Sequence, residues 1–252
     1  MSKNTKTLAT ALIVALAAAL SPSATWGQQV CPGPANATKC TIDNFTSSYG
    51  LVKPITSGNE TVNQPATGSG SGIVGGTRTI YLASGSGAAN PYGQPTQVQT
   101  VPKSSTNPTP ALVWSNGYGN YAELEVAYGD ANDGVANLDL DLNQYNTENN
   151  GLIRFTFAGS QQQIASFVVL PTYPGGYGEC GLSILTEPTS FTVDFPFDQF
   201  GPGVNWGDIL SILFLFENGT LGSPNVAVTD IEVIAATSST PPATYTCQYQ
   251  SE

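Results

Sequence analysis

The chain has 252 residues and a formal charge of −11, contains no histidine, and has its single methionine at position 1. Histidine-dependent triads and histidine-held zinc or copper are thereby excluded. An acidic surface is also a poor partner for nucleic acid or an anionic membrane.

The first feature in chain order is Lys3 and Lys6, followed by the apolar run Leu8–Leu20 and then small residues. That order predicts a secretory signal over residues 1–27, with cleavage near Gly27 or, alternatively, Ala24. The run is too short to span a bilayer. All 18 acidic residues but only five of the seven basic ones lie beyond it, which leaves a formal charge of −13. Residues 28–252 are read as one domain, with a core at about 41–235 and a disulfide-tied C-terminal tail. The longest later apolar run, "ILSILFLF" (209–216), is no membrane span, so the expected location is secreted, outside the cell. Four cysteines in an exported chain predict two disulfides, and three pairings are open. Cys31–Cys40, closing a short loop, and Cys180–Cys247, tying down the tail, are favoured.

Short runs with apolar residues at every second position follow, the mark of strands buried on one face. They are 76–84, 110–116, 121–128, 136–143, 152–159, 164–171, 190–197 and 225–235. The run 209–216 is apolar on both sides and is therefore expected at the centre of a sheet. Residues 54–73 and 85–109, rich in Gly, Ser, Pro and Gln, are expected to be long surface loops. Many short strands without an amphipathic helix predict an all-β fold, an antiparallel β-sandwich of jelly-roll type.

Carboxylates two apart on a strand share a face at about 6.5–7 Å. Glu123/Glu125 and Asp139/Asp141 are such pairs, and glycosidases use paired acids at comparable separations. Their polar neighbours argue for a hydrated sheet face, because a catalytic acid needs an apolar setting to hold its proton. Asp43, Asp230 and Glu232 form a candidate calcium cluster if the first and last strands are neighbours, since clustered carboxylates suit a hard cation. "GDANDG" (129–134) lacks the ligands of an EF-hand and predicts a tight turn. Tyr118, Tyr121, Tyr173 and Tyr177, set among glycines, are candidates to stack on sugar rings. Trp114 and Trp206 adjoin apolar runs and are expected in the core.

The stretch "ELEVAY" (123–128) resembles the first half of the motif of laminarinase-type jelly-roll β-glucanases, which implies a nucleophile at Glu123 and a helper at Glu125. Ala127 and Tyr128 stand where that family carries its proton donor. More broadly, "IDNF", "GIVGGTRTIYL" and "VTDIEVI" resemble exported bacterial β-sandwich proteins of unknown function, many of which end in a PEP-CTERM sorting tail. This sequence lacks that tail and has Asn44 for the family's second aspartate. The fold so implied is similar to galactose-binding-like carbohydrate modules. The expected function is non-catalytic binding or structuring of extracellular polysaccharide or matrix. A glycoside hydrolase or polysaccharide lyase using Glu123 and Glu125, and a self-associating cell-surface or biofilm protein, are the alternatives.

Overall fold

The computed structural model describes residues 29–30, 38–46, 52–65, 72–101, 109–129, 135–145, 151–161, 166–182, 190–218, 223–235 and 246–251. The signal segment, Cys31 and most of the "GDANDG" turn lie outside them. The described chain is an antiparallel β-sandwich of jelly-roll type whose only helical segments are single 3-10 turns. No helix among the described residues is long and apolar enough to cross a membrane.

The first large sheet runs in the order β13 (Phe191–Pro196), β10 (Gly151–Gln161), β15 (Asn225–Ala235), β7 (Ala111–Asn116), β6 (Thr96–Val101) and β3 (Val52–Ile55). β15 is long enough to carry two partners end to end on one side. Its first residues pair with β7 and its last with β2 (Lys39–Asp43). The second sheet runs β16 (Thr246–Ser251), β12 (Gly176–Leu182), β11 (Ser166–Tyr173), β14 (Ser211–Asn218), β8 (Ala122–Tyr128), β5 (Thr77–Ser84) and β4 (Gly58–Pro65). A parallel two-residue pair, β1 (Gln29–Val30) with β9 (Leu140–Asp141), stands apart.

Alternation along the strands decides which side chains meet between the sheets. From the first sheet come Phe155, Phe157 and Phe195; from the second come Phe167, Phe214 and Phe216, and all six are fully buried. Phe155 meets Phe167 edge-on at 4.9 Å, and Phe167 stacks on Phe216 at 4.6 Å. Such ring pairs add about 0.5–1.5 kcal/mol each beyond area burial; Phe155–Phe167 joins the two layers, while Phe167–Phe216 joins neighbouring strands of the second sheet. Trp114 and Trp206 are core residues, as the sequence predicts. The run 209–216 supplies most of β14, central in its sheet between β11 and β8.

Several expectations need correction. Residues 54–73 and 85–109 are not simply loops, since they contain β4 and β6. β4 is an edge strand that buries only Gln64 fully, so it shows no apolar alternation. β6 points Thr96, Val98 and Thr100 inward, and two of the three look polar in sequence. The run 136–143 forms only the two-residue β9, although Leu138, Leu140 and Leu142 are buried as expected. Asp139 there adopts φ +46°, which interrupts any extended strand.

Candidate functional site

Buried between the sheets, Asp43 and Arg78 are both inaccessible to solvent and paired at 2.5 Å. Asp43 also accepts from the Phe45 amide at 2.7 Å and the Tyr128 hydroxyl at 3.0 Å. Arg78 donates to Gln64 at 2.8 Å and lies 5.0 Å above the Phe45 ring. Burial pushes the Asp43 carboxyl above its ordinary range, against the pull of the Arg78 guanidinium. This network explains why the proposed calcium cluster does not assemble. The strands adjoin as expected, but the register sets Asp43 opposite Ile231, facing inward. Asp230 and Glu232 lie on the outer face, where Glu232 accepts from Lys39. Simple alternation would put Asp230 and Glu232 on the same face as Val228, and the strand departs from it. A register shift beside Thr229 turns Val228 inward and Asp230 outward. Among the described residues no group of three or more acids, cysteines or histidines is placed to hold a metal ion.

Glu123 and Glu125 do share the outer face of the second sheet. The sequence reading missed their neighbour Glu217, which sits directly across the strand boundary from Glu123. The Tyr121 hydroxyl donates to Glu217. Burial, then the charge of Glu217, raises the Glu123 carboxyl. The Tyr121 hydroxyl is raised by burial and by its bond to Glu217. "FLFEN" held the only signal for Glu217, an acid that continues the β14 alternation on the outer face.

The four sugar-stacking candidates do not form one group. Tyr173 is buried at 6% exposure and belongs to the core. Tyr177 is half-buried on β12 opposite Thr172, and Tyr121 is engaged with Glu217. Tyr118 alone is widely exposed, at 57%, and it lies against a residue the sequence reading left in a loop: Tyr92, exposed at 63%. Their ring centroids are 5.9 Å apart with the planes tilted by 30°. With Gln94 they line an open recess of about 470 Å3. Among the described residues these are the two large hydrophobic side chains that stand out in solvent, and they stand together.

A dense set of bonds holds the two loops that carry them. Buried Asn90 donates to the carbonyls of Thr56 (2.9 Å) and Gln94 (2.8 Å) and accepts from the Gln94 amide at 2.9 Å. Asn120, also buried, donates to Asn116 Oδ1 at 2.9 Å and to Ser84 Oγ at 3.0 Å. The Tyr121 amide reaches Ala89 O at 2.8 Å, and the Gly117 amide reaches Pro95 O at 2.9 Å, which ties one loop to the other. Gly119 has φ +77°, and a Cβ there would lie 2.7 Å from the Tyr92 ring. Glycine is thus required twice at that position, for the backbone and for the approach of the ring. "NPYGQP" and "NGYGN" carried the signal, each a tyrosine beside glycine among turn-forming residues.

Cys40 and Cys180 are buried, and no described cysteine is free. β16 brings the backbone of Cys247 directly opposite Cys180.

No protein-family model matches this chain. No curated protein matches it either. Among solved structures, it is similar to the family 11 carbohydrate-binding module from Clostridium thermocellum, solved in complex with a β-1,3-1,4-mixed-linked tetrasaccharide. That match has 16% identity over 79% of this chain and 96% of the other, with a TM-score of 0.41. A family 30 carbohydrate-binding module of a Clostridium thermocellum cellulosomal cellulase is similar at 14% identity over 56% and 83%, with a TM-score of 0.37. An exo-β-agarase matches at 10% identity over 58% of this chain and 22% of its own, with a TM-score of 0.37. At such identities the likeness is one of fold alone.

Proposed function

We propose that this is an exported, disulfide-bonded β-sandwich that binds extracellular glycan through the Tyr92–Tyr118 platform. The reading rests on one observation: two tyrosines stand exposed side by side, above loops fixed by buried asparagines. Exposed rings ordinarily lose affinity to the ordering of their loops on binding. Here that ordering is already present before any ligand arrives. A ring face suits the C–H face of a sugar, while the hydroxyls and Gln94 offer hydrogen bonds at the rim. The signal segment supports export, and the opposed backbones of Cys180 and Cys247 support their pairing. Cys31–Cys40 is proposed from the sequence alone.

Native gels cast with soluble polysaccharides test the reading. At about 1 kcal/mol per ring, Tyr92→Ala and Tyr118→Ala should each weaken retardation roughly five- to tenfold. The double variant should migrate as in a gel without glycan. Retention of full affinity by the double variant would overturn the platform.

A further inference from the structure

The chemistry around the platform bears on which glycans it accepts. Tyr118 and Tyr121 are three residues apart, and the turn between them is closed by the Asn120 amide on Gly117 O at 3.2 Å. The Tyr121 hydroxyl is bonded to Glu217, and Glu123 lies directly across from Glu217. Chain geometry therefore sets the Glu217 carboxylate within about 20 Å of the Tyr118 backbone, with Glu123 beside it. Glu125 follows on the same face.

Most of the described positive charge is committed elsewhere. Five basic residues lie beyond the signal segment. Lys39 is paired with Glu232, Arg78 with Asp43 inside the sandwich, and Arg154 with Asp194 at 2.6 Å. Lys53 lies on β3, three residues before the Thr56 carbonyl that Asn90 holds, and is the one described cation on a strand next to the platform loops; Lys103 lies outside the described residues. None of the hydrogen bonds that fix the platform loops involves a cation.

We infer that the Tyr92–Tyr118 platform selects uncharged polysaccharides and rejects uronate- or sulfate-bearing ones, with Glu123 and Glu217 as the residues that set the rejection. The inference rests on the glycan-binding reading above. The carboxylates are not the binding site; they supply the local field that an approaching anionic polymer meets. At about 10 mM salt the screening length is roughly 30 Å, long enough for their field to reach the loop that carries Tyr118. The overall negative charge of the chain acts in the same sense.

The test compares retardation by three neutral polymers (hydroxyethylcellulose, xylan, galactomannan) with two anionic ones (polygalacturonate, alginate), at 10 mM and 500 mM salt. At least one neutral polymer is expected to retard the full protein at both salts, and neither anionic polymer at low salt. The Glu123→Gln/Glu217→Gln variant keeps an acceptor for the Tyr121 hydroxyl. It should gain at least threefold in retardation by polygalacturonate at low salt, with neutral binding unchanged. Equal or stronger retardation of the wild type by an anionic polymer at low salt would overturn the selectivity and leave the platform standing. An unchanged response of the Gln variant to polygalacturonate would overturn the role given to the two glutamates. Retardation by no polymer would refute the platform itself.

Discussion

Replacing Arg78 with methionine would strip the buried Asp43 of its counter-charge while nearly preserving side-chain volume. Asp43 would keep the Phe45 amide and Tyr128 hydroxyl as donors, in a position with no solvent access. Breaking a buried pair by removing one partner costs about 3–5 kcal/mol. For a chain of this size that corresponds to a fall in Tm of roughly 6–20 °C. The loss should depend on pH in a definite sense. Burial already raises Asp43, and Arg78 is the chief influence opposing it. In the variant that opposition is gone, so the folded state holds a proton that the unfolded chain releases near pH 4. Stability of the variant is then greatest in acid and falls as pH rises through the elevated pKa. Urea unfolding at pH 4 and pH 8 should show a small deficit at the lower value and the full deficit at the higher. The double variant Asp43→Asn/Arg78→Met should recover most of the pH 8 loss. A deficit below 1 kcal/mol at pH 8, or one equal at both values, would refute the reasoning.

Asp230 is half-buried beside Glu232, and burial followed by that neighbour's charge lifts its carboxyl to about 6. A raised folded pKa means that its stabilising contribution is complete below about pH 4 and is lost as pH rises through 6. After allowance for solvent screening at a partly exposed site, Asp230→Asn should stabilise the protein by about 1 kcal/mol at pH 8. It should have almost no effect at pH 4, as read by chemical denaturation. Cys180→Ser should cost about 4 kcal/mol if the bond to Cys247 closes the long loop between them, and a reductant titration of the melting temperature should lower the parent by that much more than the variant, in which only the proposed Cys31–Cys40 bond is left to reduce. Gly178→Ala would place a Cβ 2.8 Å from Val204 and 3.0 Å from Phe200. Calorimetry should show a destabilisation of about 1–3 kcal/mol.

The leucines and phenylalanines of β8, β10, β14 and β15 announced their strands because one face of each is apolar and packed. β6 did not, since Thr96 and Thr100 satisfy their hydroxyls inside the sandwich; Thr96 accepts from Trp114 Nε1 at 3.0 Å. β12 was hidden by its glycines; at Gly178 the lack of a side chain is what lets Phe200 and Val204 approach. The failed acid cluster has a comparable cause. The adjacency of β2 and β15 was legible, but the register that turns Asp43 inward depends on a shifted pair that no alternation reveals. At the platform, Tyr118 was visible as a loop aromatic. Its partner Tyr92 was not, because two loops separated by β6 and β7 meet only once the sheets have formed.

The two described tryptophans sit toward opposite ends of β15. Trp114 is opposite Val226, whereas Trp206 stacks on Phe197, beyond the Pro196 that reaches the β15 terminus through Leu152. Some eight residues of strand, about 26 Å, lie between these ends. The molecule thus carries an intrinsic fluorophore at each pole, only one of them close to the tyrosine loops. In protein that lacks the signal segment, and with it Trp26, Trp206→Phe leaves emission that follows melting at the loop-bearing pole, and Trp114→Phe emission that follows the far one. Ligand-induced protection should therefore register first, and most strongly, in the light from Trp114.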